Sequence, residues 1–139
     1  MTQRNFELHP RLAADCRALG DLAVSRLLLM NDSRFPWCIL VPRRSGLREL
    51  HELTGDERSG VFAEIDAVSR ALLARGAEKI NVGALGNVVA QLHIHVVGRR
   101  SDDAAWPGPV WGSGPARPYP AAAVEALGSA LWAAVSARG

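Results

Sequence analysis

The segment Gln91-Leu92-His93-Ile94-His95-Val96-Val97 sets two imidazoles two residues apart inside an apolar run. On a β-strand, residues i and i+2 point to the same face, about 6.6 Å apart. Gln91, His93 and His95 are therefore expected on one face. Leu92, Ile94 and Val96 are expected on the other, packed under a helix. Two neighbouring imidazoles suit few tasks. One can attack a substrate while the other protonates a leaving group or donates to an anionic oxygen. Both can ligate a metal, although no cysteine is adjacent and His9 and His51 are distant in sequence. The pair can also be hydrogen-bonded and without a task.

The elements that must position this segment are read from hydrophobic spacing. Leu12, Ala13, Cys16 and Leu19 recur at helical intervals, so residues 9–18 are expected as a short helix broken by Gly20. Asp21 to Met30 reads as strand, either one bent strand or a hairpin bending at Gly20-Asp21 or Ser25-Arg26. Asn31-Asp32-Ser33-Arg34 is turn chemistry. Trp37 to Val41 is a compact apolar run closed by Pro42, a buried strand. Thr54 followed by Glu57 resembles a capping box. Val61, Ile65, Val68, Leu72 and Leu73 then define an amphipathic helix of about five turns, with Arg58, Glu64 and Arg70 on its other positions and Gly76 after its end. Ile80 and Val82 give one strand and Val88 to Val97 the next. Residues 99–120 hold five prolines and three glycines, with Trp106, Trp111 and Tyr119, and read as an irregular arm. Val124, Leu127, Leu131 and Val135 close the chain as a helix. The order predicts an α+β fold, an antiparallel sheet of about five strands with one long helix and a C-terminal helix.

The chain has 139 residues, enough for one domain over 1–139. Hydrophobic residues make up 48% and charged residues 22%, which excludes whole-chain disorder and coiled coil. The net charge of +2 comes from scattered arginines, so no nucleic-acid partner is expected. Cys16, in the expected first helix, and Cys38, in a strand, read as buried free thiols. No apolar signal run follows the N-terminal Met-Thr-Gln-Arg-Asn-Phe-Glu, and no stretch has the length of a membrane span. A cytoplasmic protein with no membrane partner is expected.

The pattern Gln91-Leu92-His93-Ile94-His95-Val96-Val97 resembles the histidine triad (HIT) family, which carries His-x-His-x-His on the last strand of a small α+β domain. Trp37-Cys38-Ile39-Leu40-Val41-Pro42 is similar to that family's apolar strand ending in proline. Asp103 to Gly112, with Trp106-Pro107-Gly108-Pro109-Val110-Trp111-Gly112, resembles a bacterial subgroup of HIT-family hydrolases in which Gln-x-His-x-His replaces the triad. The resemblance covers about residues 5–115. It implies a HIT-like sheet, a homodimer, no cofactor and no metal. It implies a nucleotide hydrolase or nucleotidyl transferase acting at the α-phosphate through a covalent nucleotidyl-histidine, on a small-molecule substrate such as a dinucleoside polyphosphate or a nucleoside phosphoramidate.

By the same resemblance His93 matches the nucleophile, and His95 the residue that contacts phosphate and leaving group. Asp32 lies where the family has an acidic residue near the ribose; otherwise it caps its turn. Asn81 and Asn87 match polar nucleotide or phosphate contacts; otherwise they satisfy strand ends and turns. Gln91 departs from the family's first histidine. Its amide has two donors and an acceptor but no accessible pKa, so it is expected to orient His95 or to donate to phosphate. Leu29, Ile39 and Leu40 would floor a purine pocket or simply be core. Trp106 and Trp111 are expected as anchors of the arm, across a subunit interface, rather than as stacking platforms. Arg99 and Arg100 either attract polyphosphate or form a solvated pair. His51 reads as a surface residue. Two other functions stay open: a nucleotide-binding module of the same fold with little turnover, and a His-pair metal protein.

Overall fold

A computed structural model describes residues 6–138; the first five residues of the N-terminal stretch read above lie outside them. The longest helix, α2 (Gly55–Ala74), starts where its capping chemistry demands. The Glu57 amide donates to Thr54 Oγ1 at 3.1 Å, and the Thr54 amide donates to Glu57 Oε1 at 2.8 Å. The Arg44 guanidinium also grips Glu57, at 2.8 and 2.9 Å. That hydrogen bond outweighs desolvation and holds the Glu57 carboxyl down at about 2. After the helix, Gly76 takes a φ of 106°, a left-handed turn that side chains resist.

Five strands form one antiparallel sheet: β1 (Cys16–Asp21), β2 (Ser25–Met30), β3 (Trp37–Pro42), β4 (Lys79–Gly83) and β5 (Ile94–Arg99). Their spatial order is β1-β2-β3-β5-β4. The helices α2 and α3 (Ala121–Arg138) cover one face, against Leu29, Cys38, Leu40, Ile94 and Val96. The short α1 (Pro10–Asp15) and the arm cover the other, against Leu28, Trp37, Ile39, Val41 and Val97. This is the period-2 alternation of strands buried on both sides. The fold class read from the sequence is the one observed. Of the arm expected over 99–120, Arg99 ends β5, and residues 100–120 hold neither helix nor strand. No helix among the described residues is long and apolar enough to cross a membrane.

Several local expectations need correction. The first helix ends at Asp15, and Cys16 begins β1, because pairing of Cys16 with Met30 and Arg17 with Leu29 overrides the helical spacing. Gly20 lies within β1, where the register shifts. A Cβ there would meet the Trp132 ring of α3 at 2.6 Å, so that close approach is what requires glycine. The β1–β2 hairpin bends at residues 22–24, between the two sites expected, with Leu22 donating to the Ser25 carbonyl at 2.8 Å. Glu64, expected on the outer side of α2, is 4% exposed and accepts from the Val24 and Ser25 amides at 2.7 and 3.3 Å. A helix carboxylate thus caps the hairpin turn.

The second correction concerns the histidine segment. The strand expected over 88–97 begins only at Ile94, and residues 84–93 form a loop. Pairing of β5 with β3 ends at Leu40–Ile94. Beyond it, the Leu92 amide donates to the Leu47 carbonyl at 2.9 Å instead of continuing the ladder. Gln91 and His93 therefore do not share a strand face with His95 by alternation.

Candidate active site

Strand β5 supplies His95 and the loop before it supplies His93; both are buried at 6% and 7% exposure. Their ring centroids lie 4.9 Å apart at 64°. Nδ1 of His93 lies 2.7 Å from the main-chain carbonyl oxygen of Gln91. A carbonyl only accepts, so Nδ1 carries the proton and Nε2 of His93 is the lone pair. His95 stands two residues along, in register with Ile39 of β3 and Gly83 of β4. Trp37 Nε1 donates to its Nδ1 at 3.0 Å. The Trp111 ring meets His95 edge-on at 5.4 Å. Gly83 makes room for that ring, because a Cβ would meet Trp111 at 2.9 Å.

Both histidines wall a cavity of about 510 Å³, shared with Trp37, Ile39, Asn87 and Trp111. Burial, and then the neighbouring His93, push the His95 pKa down to about 4. A histidine with a folded pKa below its unfolded value near 6.5 binds its proton more readily when unfolded. Its contribution to stability is therefore complete above about pH 6.5 and is lost as pH falls towards about 4, roughly 2–3 kcal/mol in all. The Tm of the wild type should fall across this window, and His95→Gln, which cannot titrate, should be flatter. Equal slopes for the two proteins would refute the assignment.

The other sequence-derived candidates fall in different places. Asn87 lines the cavity from the 84–93 loop, beside Gly86. Asp32 lies at its edge, 1% exposed. The Asp32 carboxylate is gripped by Arg34 Nε and Nη2 at 3.0 and 2.9 Å and accepts from the Arg34 and Arg117 amides at 3.1 and 3.2 Å. Burial by itself would raise its pKa; these bonds outweigh burial and hold the carboxyl below its ordinary value. Arg34 reaches on to the Ser113 and Gly114 carbonyls at 3.2 and 3.3 Å, so the pair fastens the arm to the turn after β2. Asn81 is not among the cavity walls. Its Oδ1 accepts from Arg99 Nη1 at 2.8 Å.

Gln91 is brought near His93 by its main chain only. Its side-chain amide is spent on the N-terminal segment: Oε1 accepts from the His9 amide and Nε2 donates to the Glu7 carbonyl, both at 2.9 Å. The contact that orients His93 comes from a carbonyl that any residue at position 91 supplies. Gln91→Leu should therefore leave kcat/KM within about tenfold of wild type, rather than lowering it by the 10- to 100-fold that direct contact with His95 or phosphate would give. It should cost about 1–2 kcal/mol of stability through the two lost hydrogen bonds. Thermal unfolding alongside steady-state kinetics separates the two; a kcat/KM loss beyond about 100-fold would place the side chain on the substrate.

Arg99 is neither solvated nor free for polyphosphate: it is 1% exposed and paired with Asp103. Arg100 donates to the Gly76 carbonyl and to Asp102. Trp106 lies 40% exposed over Arg99 of its own chain, whereas Trp111, expected as an anchor across a subunit interface, packs on His95 and walls the cavity. Ile39 lines the cavity, but Leu29 and Leu40 belong to the core under the helices. His51 is exposed, as expected. Burial, aided at Cys16 by Asp15 and at Cys38 by Cys16, pushes both thiols up to about 12, so neither is a thiolate near neutral pH. Among the described residues no group of three or more His, Cys, Asp or Glu could hold a metal ion. Trp37, Arg34 and the Arg11–Asp15 pair at the cavity wall were not singled out as site residues in the sequence. Only the strand register, which sets Ile39 opposite His95 and so Trp37 diagonal to it, gives Trp37 away.

Comparison with known proteins places the chain in a family. Residues 11–102 match the HIT domain model. A histidine triad protein from Sinorhizobium meliloti 1021 is 44% identical, with a TM-score of 0.91 over 95% of this chain and 98% of that one. A histidine triad protein from Marinobacter aquaeolei VT8 is 43% identical, with a TM-score of 0.92 over 96% and 98%. One from Bradyrhizobium japonicum is 41% identical, with a TM-score of 0.90 over 94% and 98%. Among curated proteins none matches the chain.

Proposed function

The chain belongs to the HIT domain family, a superfamily of nucleotide-binding hydrolases and transferases, and from that premise we propose that it cleaves nucleotides at the α-phosphate through a nucleotidyl-histidine on His93. The observation that carries this reading is the hydrogen bond from His93 Nδ1 to the Gln91 carbonyl, which in the neutral imidazole places the nucleophilic lone pair on Nε2. In the first step Nε2 forms a bond to the α-phosphorus and the bond to the leaving group breaks; the leaving group departs with the electron pair and takes up a proton from solvent. In the second step water attacks the same phosphorus and gives up a proton to solvent, the P–N bond breaks with its electron pair returning to Nε2, and the nucleoside monophosphate is released with His93 regenerated. Donors aimed at the phosphoryl oxygens stabilise the developing charge; His95 and Asn87, both at the cavity wall, are the side chains proposed for this.

The substrates proposed are dinucleoside polyphosphates or nucleoside phosphoramidates, in the Gln-x-His-x-His subgroup of the family and in the cytoplasm. Asp32 and Asn81 are proposed to act through the arm rather than on the ribose or phosphate, because Arg34 and Arg99 occupy their carboxylate and amide oxygens. The test is a screen of hydrolysis over both substrate classes, with alkaline quench of a nucleotide labelled at the α-phosphate, since the P–N bond is stable in base and labile in acid. A labelled protein adduct and release of nucleoside monophosphate are expected. Binding without turnover of any member would replace this reading by the nucleotide-binding module. A homodimer is proposed as well: Phe62 and Leu73 on α2, and Val82, Leu85 and Val88 at the β4 edge and the following loop, are large apolar side chains left exposed. Sedimentation at about twice the chain mass checks it.

A further inference from the structure

His95 is held by an aromatic partner rather than by a charge. Trp37 leads β3, and its indole lies on the same sheet face as His95, with ring centroids 5.7 Å apart at 56°. The hydrogen bond between Trp37 Nε1 and His95 Nδ1 is 3.0 Å long and buried. An indole N–H can donate but never accept, so the imidazole nitrogen that faces it must present its lone pair. A neutral imidazole carries one proton, which is then on the other nitrogen. The opposite tautomer would set two N–H groups head to head in a buried contact, leaving both donors unsatisfied at about 1–3 kcal/mol each.

We propose that Trp37 is a positioning residue that fixes His95 as the neutral Nε2–H tautomer, so that His95 meets the substrate as a hydrogen-bond donor. The bond also fixes the ring plane, since Trp37 and Trp111 flank the imidazole at 5.7 and 5.4 Å. The two histidines are thereby given opposite duties by two different groups. The Gln91 carbonyl takes the Nδ1 proton of His93 and frees its Nε2 lone pair; the Trp37 indole takes the Nδ1 lone pair of His95 and leaves its proton on Nε2. A lone pair for phosphorus and an N–H for a phosphoryl or leaving oxygen stand side by side. Other ionisable groups at the cavity wall are the Arg11–Asp15 pair and the Arg34–Asp32 pair, each internally compensated, and the Cys16 thiol, which burial and then Asp15 hold protonated. Burial and the second imidazole keep His95 neutral at pH 7. The tautomer stands on the structure alone; its use as a donor rests on the nucleotide-cleaving reading above.

The experiment is long-range ¹H–¹⁵N NMR of the histidine side chains in wild type and Trp37→Phe, followed by kinetics on any nucleotide the wild type cleaves. In wild type at pH 7, His95 should show a pyridine-like Nδ1 and a pyrrole-like Nε2. In Trp37→Phe, which keeps an aromatic ring but has no donor, the two tautomers should mix. The same variant should lose roughly tenfold in kcat with KM changed less than about threefold, because the donor acts on developing charge. A pyrrole-like Nδ1 in wild type overturns the proposal, and needs no variant to fold. An unmixed Nε2–H tautomer in Trp37→Phe also overturns it, since Trp37 would not be what sets it. If the predicted tautomers are found but wild type cleaves nothing, the nucleotide-cleaving reading fails and the role of Trp37 in setting the tautomer stands.

Discussion

Replacing His93 with alanine should lower kcat by at least about 1,000-fold and abolish the labelled nucleotide adduct, whose P–N bond survives an alkaline quench. No other group at the cavity offers an equivalent lone pair. The Cys16 thiol is held protonated at neutral pH, and Nδ1 of His95 is occupied by Trp37. Loss of a nucleophile removes the covalent route altogether instead of weakening one step, which is why so large an effect is expected. The fold should survive. His93 contributes one hydrogen bond, to a loop carbonyl, and borders open cavity rather than packed core. Far-UV circular dichroism and thermal unfolding would confirm an intact protein. Wild-type turnover in folded His93→Ala would sink the covalent mechanism.

Asp103→Ala should be the most damaging single change to stability outside the apolar core. Arg99 is almost completely buried, and its guanidinium makes four hydrogen bonds at once. Asp103 receives its Nε and Nη2 at 2.7 and 3.0 Å, Asn81 its Nη1 at 2.8 Å, and the Gly108 carbonyl its Nη2 at 2.8 Å. The guanidinium also lies 5.5 Å from the Phe35 ring and 5.7 Å from the Trp106 ring. Removing the carboxylate leaves a buried cation without its counter-charge, a change that typically costs about 3–5 kcal/mol. For a domain of this size that is a fall in Tm of roughly 10–20 °C. Removing both charges, in Arg99→Met with Asp103→Leu, should cost less than Asp103→Ala alone. A fall of only a degree or two in Asp103→Ala would mean that Arg99 finds water or another partner. The Arg99 hydrogen bond, joined by backbone amides and outweighing desolvation, holds the Asp103 carboxyl well below the usual range. A carboxyl depressed in the folded state stabilises above its unfolded pKa near 4 and loses that contribution only as pH falls towards its folded value. This cluster is therefore constant across the pH window in which His95 titrates.

The parts of the fold that were legible in the sequence are those governed by local chemistry. A five-turn apolar stripe and a reciprocal Thr54–Glu57 pair mark α2 regardless of what lies around it, and an apolar run closed by Pro42 marks β3. The illegible parts are those decided by a distant partner. Cys16 keeps helical spacing with Leu12 but is claimed by Met30 across a sheet. His93 looks like a strand residue until Leu92 turns away to Leu47. Glu64 and Arg99 carry the surface signature of their residue types, yet each is buried by a group far off in sequence, a hairpin turn for one and the arm for the other. The site divides in the same way. The two histidines and the lining residue Asn87 were readable from their spacing and from family likeness, whereas the bond from Trp37 depends on strand register, which no local pattern encodes.

Residues 100–120 have no helix or strand to hold them; the two guanidinium clusters, Arg34 with Asp32 and Arg99 with Asp103, share their attachment with buried Val110 and with bonds such as that from the Tyr119 amide to Asn31 Oδ1. The same stretch supplies Val110, Trp111, Gly112, Gly114 and Ala116 to the wall of the cavity. Detachment of the arm and escape of an occupant are consequently one linked equilibrium. A molecule resting against the arm raises the free energy of local opening, and by reciprocity each clamp tightens the binding of that molecule by the same coupling free energy. Arg34 and Arg99 thus act on occupancy as tethers, at a distance from the histidines and without surrendering a donor to the ligand.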